Sequence, residues 1–535
     1  MRACLALIIA VLAWPGASLG ASNHAGRPHL PGPRTLAGLR SFRETLVELD
    51  RGRGRLAVPA LRLSGGRLVS RRLGIWSLPT AKAQRVLPGL LRARLVRAVE
   101  PDRHYRRLDH LTAGDPLLPS EWWIAVVGAD QAEPPGPGKP VTIIDSGLDV
   151  THPEFAGRPD VTLLNEQDVS GAGDDHGTAV ASVIGAPANG IGLVGIYPQA
   201  RLNVWDTGDL STSLIVQGLE HAIDAGPGVV NLSFGGTEFD PMVEDEVFIA
   251  FGAGNILVAA AGNEFGEGNP LEFPASLNHV LTVAATDESG SATSFSSSSL
   301  AVDLSAPGVR IPVAVPLSAD PSGYATYDGT SFSAPLVAGA TAWVWTARPE
   351  LDNTQVFDLM RRSAKDIGPR GYDEDTGFGL LDVPAALAAK APVSDLQEPN
   401  DDIDQVKANG LFKNATRPIT RPGKPSASFE ARLDLTEDPE DVYRVFVAAR
   451  RTVEITVRGD ANVDLELWAP RTPTVFARGA ARRKYLVDGS YELGRRSDTV
   501  SVESTGRRSL FVYADVFLPK NGPISATYHL EARTR

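Results

Sequence analysis

Residues 141–149 read VTIIDSGLD. Val141, Thr142, Ile143 and Ile144 lead without polar alternation into Asp145, Ser146 and Gly147. An alternating run would mark a strand with one wet face; an uninterrupted one marks a strand buried on both faces. RLNVWD (201–206), GVVNLS (228–233), NILVAAAG (255–262) and HVLTVAAT (279–286) repeat the pattern, with helical stretches between them. Buried strands alternating with helices imply an α/β fold built on a doubly wound, mostly parallel sheet. Ligands of such sheets meet the carboxyl ends of the strands, so the polar residues that close these runs are the candidates for chemistry.

Outward from this region the chain changes character. Its 535 residues are too many for one ordinary domain. The first 21 residues, with Arg2, an apolar stretch from Leu5 to Trp14 and then small residues, read as a secretory signal peptide. That stretch is too short to span a bilayer, so a secreted protein without a stable membrane anchor is expected. Residues 22–40, rich in Gly, Pro and Arg, read as a disordered leader. Residues 41–107 read as a small α+β unit, with strands in RETLVELD, RLVSRRLGIWSL and RLVRAVEPD and a helix over 79–93 interrupted at Pro88. The α/β region spans 108–390. A polar, Pro-bearing linker follows at 391–405, expected to be open to proteases. Short alternating segments over 406–535 then read as a β-sandwich.

Residues 1–115 carry 20 Lys and Arg against 7 Asp and Glu, whereas the whole chain has a net charge of −12. The basic residues are interspersed with apolar ones rather than clustered, which favours a folded unit over a nucleic-acid arm. No nucleic-acid partner is expected. The one cysteine, Cys4, lies in the signal segment, so no disulfide or thiol chemistry is expected after its removal.

Four polar residues stand at element boundaries of the α/β region. Asp145 closes the first strand. His176 opens the small-residue helix of HGTAVASVIGA (176–186). Asn263 closes NILVAAAG. Ser331 lies in GTSFSAPLVAGA (329–340), at the mouth of another buried helix. Each alone reads as a cap, a turn or a solvated group. Together they make an acid, an imidazole, an amide and a hydroxyl on one sheet. A Ser at a helix N-terminus also has free N–H donors beside it. A nucleophilic Ser needs a His to take its proton and a carboxylate to orient that His.

DSG (145–147), HGT (176–178), NLSFGG (231–236), AAGN (260–263), FSSSS (295–299), APG (306–308) and GTSFSAP (329–335) follow one another across roughly residues 120–390. In these motifs and their order the chain resembles the subtilisin family of serine proteases, the subtilases. The resemblance implies a secreted endopeptidase acting on polypeptides. Ser331 would be the nucleophile, His176 the base, Asp145 its orienting carboxylate, and Asn263 with the Ser331 N–H the oxyanion donors. Ser233, Phe234, Gly235 and Gly236 would pair with extended substrate. Glu264 and Glu272 would border the specificity pocket and favour Arg or Lys on the N-terminal side of the cut. The chemistry needs no cofactor. A structural calcium is implied by APANGIGLVGIYP (186–198), with Asn189 and Glu154 as ligands, although Pro187 and Gly190 depart from the family's loop. Residues 41–107 are similar to the family's inhibitory prodomain. The tail resembles the bacterial pre-peptidase C-terminal domain through EPNDD (398–402), DPEDVYRV (438–445) and VDLELWAP (463–470). The competing reading is a catalytically silent, subtilase-like binding or adhesion protein, against which the complete residue set speaks. An esterase of the α/β-hydrolase type would need a G-x-S-x-G elbow, which is lacking.

Overall fold

A computed structural model describes residues 43–50, 52–71, 73–101, 114–170, 174–395, 397–520 and 522–535. The signal segment, the leader and Arg106-Arg107 lie outside the described residues. The chain divides into two compact units, within residues 1–107 and 108–535.

In the first unit, β1 (Glu44–Leu49), β2 (Arg67–Ser70), β3 (Ile75–Pro79) and β4 (Val96–Pro101) form an antiparallel sheet in the order β2-β3-β1-β4. Two helices, α1 (Val58–Leu63) and α2 (Thr80–Arg92), accompany it. The expected break at Pro88 does not occur: α2 runs through it. Pro88 is exposed, while Thr80, Ala83, Leu87 and Leu90 bury the other face at helical spacing. Packing of that face outweighs the single backbone bond that Pro88 cannot make.

The second unit holds a seven-stranded sheet of β5 (Pro140–Asp145), β6 (Val161–Leu163), β7 (Arg201–Asp206), β8 (Val229–Leu232), β9 (Ile256–Ala260), β10 (Val280–Thr286) and β11 (Val302–Pro307). The order is β11-β10-β9-β8-β5-β7-β6, and every pair is parallel. The five strands expected from their apolar runs are five adjacent inner positions. Later strands were placed on both sides of β5, so the direction of winding reverses there, the position at which such sheets open a crevice. Helices α3 (His176–Gly185), α4 (Thr212–Asp224) and α5 (Pro241–Gly252) lie between strands in sequence. A short hairpin of β12 (Ile311–Ala314) and β13 (Tyr324–Tyr327) precedes α6 (Thr330–Ala347). Helix α6 is buried from Phe332 to Trp345, a stretch apolar all round except for Ser333 and Thr341, whose hydroxyls donate to the Ala306 and Val337 carbonyls. Helix α7 (Asn353–Arg362) follows.

The C-terminal strands are β14 (Ser426–Asp434), β15 (Glu440–Val447), β16 (Thr452–Gly459), β17 (Asp464–Trp468), β18 (Leu486–Ser490), β19 (Asp498–Glu503), β20 (Leu510–Phe517) and β21 (Ser525–Thr534). They make two antiparallel sheets, β14-β21-β16-β19 and β15-β20-β17-β18, around an apolar core that includes Leu433, Val445, Ile455, Leu465, Val512 and Leu530. This is a β-sandwich. Among the described residues no helix is long and apolar enough to cross a membrane.

The segment 391–405, expected as a polar tether, is instead pinned from both sides. On the α7 side, Gln355 Nε2 donates to the Pro392 carbonyl at 2.9 Å and Asp395 N donates to Thr354 Oγ1 at 3.0 Å. His279 Nε2 meets Asp401 Oδ2 at 3.1 Å. On the sandwich side, Arg432 N donates to Asp395 Oδ2 at 2.7 Å, and Val442 N donates to Asn400 Oδ1 at 2.8 Å. Asp395, Asn400 and Asp401 are buried. A string of polar residues reads as a solvated linker, but each of these side chains has found a fixed partner, which is the condition for burying it.

Candidate active site

Asp145 ends β5 at the winding reversal and is buried. Its Oδ1 accepts from Ser146 N at 2.8 Å and from His176 Nδ1 at 2.9 Å. Its Oδ2 is buried without a partner among the described residues. A carboxylate only accepts, so Nδ1 carries the hydrogen and the lone pair of the neutral ring lies on Nε2. The close approach of β5 and α3 depends on two glycines. Gly147 takes φ +89°, and a Cβ on Gly177 would lie 2.2 Å from the Gly147 carbonyl oxygen. The DSG and HGT motifs are therefore one joint: Gly177 N donates to Ser146 Oγ at 3.0 Å and Asp149 N to Thr178 Oγ1 at 2.9 Å.

Ser331 is the second residue of α6 and is half-buried. Gly329 before it holds φ 149° and ψ 154°, a conformation essentially restricted to glycine. Ser331 Oγ donates to the Ser233 carbonyl at 3.2 Å, and Ser233 Oγ donates to the Ser331 carbonyl at 2.9 Å. Pro335 explains the second bond. It has no N–H for the carbonyl four residues before it, which is that of Ser331, and Ser233 supplies the missing donor. The His176 ring lies 5.6 Å from the Phe332 ring, centroid to centroid. The structure thus brings Asp145 and His176 into contact and sets His176 against the residue following Ser331, with the Ser331 hydroxyl turned to Ser233.

Asn263 follows β9 and is exposed. Its Oδ1 accepts from Thr330 N at 2.9 Å and Thr330 Oγ1 at 3.1 Å. These two donors set which way the amide faces and leave Nδ2 as a donor without a partner among the described residues. The Ser331 N–H is likewise one of the unpaired amides of the first turn of α6. Gly329 lies beside both, its Cβ position 3.7 Å from Asn263 Nδ2. Such an arrangement can receive a developing negative charge.

Ser233, Phe234, Gly235 and Gly236 continue from β8. Gly236 pairs with Phe273 through bonds of 3.0 and 2.8 Å. Leu210, Phe234, Phe239, Phe273 and Leu277 line a cavity of about 270 Å³ beside this segment. Glu264 and Glu272 lie on the neighbouring loop. Glu264 Oε2 accepts from Asn263 N at 2.5 Å, and Ser297 Oγ accepts from Glu264 N at 3.2 Å. Glu272 is 6 % exposed. The sequence reading gave no specific place to Phe332 or Ser297, whose contacts come from chain segments far apart; the FSSSS motif was the only signal for the latter.

Glu154 and Asn189, the two expected calcium ligands, meet at the 186–198 loop. Asn189 Nδ2 donates to Glu154 Oε2 at 3.2 Å, while Leu193 N and Tyr324 Oη donate to Oε1 at 3.1 and 3.0 Å. The loop turns further N–H groups inward: those of Asn189, Gly190 and Ile191 bond Asp115 Oδ1 and that of Val194 bonds Glu121. Burial pushes Glu154 up to about 7 and Glu121 up to about 9. Calcium takes six to eight oxygens. Here one buried oxygen, Asp115 Oδ2, is unpartnered and the others already hold hydrogens. In this arrangement Glu154 Oε1 and Asn189 Oδ1 act as acceptors for the loop's own amides, those of Leu193 and Ile191.

The family model described as Subtilase family, Peptidase_S8, matches residues 136–379. Subtilisin of Bacillus pumilus is 35% identical over 253 residues, covering 46% of this chain and 90% of the relative. Subtilisin Savinase of Lederbergia lenta is 34% identical over 255 residues, covering 47% and 91%. Subtilisin amylosacchariticus of Bacillus subtilis subsp. amylosacchariticus is 36% identical over 253 residues, and the match spans 65% of its length. The matched region contains the parallel sheet, the Asp145–His176 pair, Asn263 and Ser331. The chain belongs to the subtilase family, and residues 136–379 are its subtilisin-like serine-peptidase domain.

Proposed function

We propose that this chain is the precursor of a secreted serine endopeptidase that hydrolyses polypeptides. The carrying observation is the Asp145–His176 bond of 2.9 Å at the carboxyl edge of the sheet, with Ser331 and the free Asn263 amide grouped around Gly329. His176 Nε2 takes the proton as Ser331 Oγ, rotated away from Ser233, attacks the peptide carbonyl carbon. The carbonyl oxygen gains charge between Asn263 Nδ2 and the Ser331 N–H. His176 then passes the proton to the leaving amine, and water, activated by the same imidazole, frees the acyl group. Asp145 keeps the hydrogen on Nδ1 throughout and stabilises the imidazolium. None of these steps needs a cofactor. A phosphonate probe tests the reading against the catalytically silent one: it is expected to label wild type at Ser331, and an unlabelled, intact protein would favour the binding or adhesion role.

The pH dependence follows from the same pair. Burial disfavours the charged imidazole, but the charge and hydrogen bond of Asp145, with Asp175 adding to them, outweigh it and raise its proton affinity above the ordinary 6.5. The base works only when neutral, so activity falls as pH drops through the raised value. The acid limb of kcat/KM is expected above 6.5 and is expected to move down in Asp145→Asn. An acid limb below 6.5 in wild type would count against His176 as the base.

Residues 41–107 are proposed to be the enzyme's own inhibitor. They have a separate apolar core of Val47, Leu61, Leu78, Leu87 and Val99, so the piece can act as a folded body. Its excess of basic residues meets an acidic remainder. Added as a separate polypeptide, it is expected to inhibit the processed enzyme at micromolar concentration and more weakly as salt rises. Titration at two ionic strengths checks this, and no inhibition in low salt removes the claim.

A further inference from the structure

Carboxylates gather on one face of the C-terminal sandwich. Side chains alternate along a strand, so Glu440 on β15, Asp464 and Glu466 on β17 and Asp515 on β20 point away from the core that holds Val445, Leu465 and Val512. The register makes these acids neighbours. Phe517 on β20 pairs with both Glu440 and Asp464, and Asp515 lies opposite Glu466. Water does not cover them. Val475 and Ala477 pack with Trp468 and Tyr513 on the same face, and Asp515 and Glu466 are only 3 % and 2 % exposed. Beside that cover lies a cavity of about 420 Å³ lined by all four acids.

Among the described residues, Glu466 alone of these acids has its charge met. Arg482 holds it through both ends of the guanidinium, with Nη1 2.8 Å from Oε2, and Tyr491 Oη donates to Oε1 at 2.9 Å. Asp515 is different. Its Oδ2 accepts from Trp468 Nε1 at 3.1 Å, but its Oδ1 is buried with no partner among the described residues. Burial, and then the negative charges of Glu440 and Glu466, hold it well above the usual carboxylate range. Burial likewise pushes Glu440 up to about 8 and Asp464 up to about 6. Arg478 and Lys520 also line the cavity, but they are exposed, and among the described residues neither forms an ion pair. Buried carboxylates are normally paired, because charge taken out of water is costly unless something offsets it.

We propose that this cavity binds a basic side chain of a polypeptide, a Lys ammonium or an Arg guanidinium, with Asp515 as its counter-ion and Glu440 and Asp464 beside it. Such a group gains a charge-assisted bond to an acid already desolvated. The volume suits an organic group rather than a bare ion, since it falls within the roughly 300–1,000 Å³ of ordinary ligand pockets. Among the described residues, the groups of three acids or imidazoles close enough to grip a metal ion do not include these side chains. Phe476 and Tyr491 line the same cavity and are exposed, offering apolar surface to the aliphatic stem behind the charge. The site uses neither Asp145, His176 nor Ser331, so it stands apart from the serine-peptidase reading. In a peptidase it would give the sandwich a hold on basic stretches of the substrate.

The test is calorimetric titration of the full chain carrying Ser331→Ala, which leaves the probes uncut. N-acetyl-Gly-Lys-Gly-amide is compared with its norleucine counterpart, which has the stem without the charge. The Lys peptide is expected to bind at least about tenfold more tightly. Adding Asp515→Asn, whose amide oxygen can still accept from Trp468, is expected to weaken the Lys peptide by about 10–10²-fold. Equal binding of the two peptides, no binding of the Lys peptide at millimolar concentration, or an affinity unmoved in Asp515→Asn overturns the proposal. The last result would place the peptide elsewhere, the catalytic cleft included. Because a buried variant can fail to fold, Glu440→Gln, at a half-buried position, is measured beside it, with thermal unfolding of both. It is expected to weaken the Lys peptide about tenfold, and a folded Glu440→Gln with unchanged affinity overturns the proposal. Calcium chloride is titrated in the same way. Calcium binding that is lost in Asp515→Asn, without binding of the Lys peptide, would mark a metal site instead.

Discussion

Ser331→Ala and His176→Ala are each expected to lower kcat by about 10⁴–10⁶-fold, with KM little changed. The two replacements differ in what else they disturb. Among the described residues Ser331 Oγ donates to the Ser233 carbonyl alone, while the return bond from Ser233 Oγ goes to the Ser331 backbone and survives in the alanine variant. Ser331→Ala should therefore unfold at the wild-type temperature. His176→Ala removes one of two donors from the buried Asp145 Oδ1, and Asp145 Oδ2 has no partner to compensate. Some loss of stability is expected with it. Asn263→Ala should cost less, about 10²–10³ in kcat, as for one oxyanion donor. Steady-state kinetics with thermal unfolding of each variant separates the effects. Near-normal peptidase activity in either the Ser331 or the His176 variant would overturn the assigned roles.

Arg361→Ala is expected to destabilise residues 108–535 by about 3–5 kcal/mol, because it leaves buried carboxylates uncompensated. Arg361 lies in α7 and is fully buried. Its Nε is 2.6 Å from Asp303 Oδ1 on β11 and its Nη2 3.1 Å from Asp434 Oδ1 on β14, so one guanidinium joins the parallel sheet to the sandwich. Its plane also lies 5.0 Å from the Phe378 ring. Burial pushes Asp303 up to about 7 even with Arg361 opposing it. Arg362 reaches Asp434 as well, at 3.3 Å, and Arg432 reaches Asp358 at 3.1 Å. The apolar cores of the two parts are separate, which leaves this junction dependent on its charges. Arg361→Lys should recover only part of the loss, since a point charge cannot serve two carboxylates in the manner of the planar fork. Urea unfolding measures the change. Limited proteolysis reads the same event locally: 391–405 should resist cleavage in wild type and become cleavable in Arg361→Ala. Rapid cleavage there in wild type would mean that the sandwich is loosely attached.

A strand buried on both faces has to be apolar along its length, whatever its neighbours are. For that reason β5, β7, β8, β9 and β10 could be read from local composition, and the parallel α/β class with them. The candidate triad was legible for a related reason. Its residues close strands or open helices, and glycines that only a close approach requires, such as Gly177, stand beside them. Strand β11 escaped because it begins VDLS, and Asp303 is tolerable inside a sheet because Thr282 N on β10 and Arg361, 58 positions away in the chain, both meet its carboxylate. The tether at 391–405 failed as a reading for the same cause. Asp395, Asn400 and Asp401 are polar, and polarity signals water unless their partners on α7, β14 and β15 and at His279, just before β10, are known. Pro88 within α2 and the inward amides at Asn189 to Ile191 were likewise decided by packing rather than by residue type. Composition and spacing report how much surface a segment must hide; which distant group compensates a buried charge depends on where the folded chain brings that group.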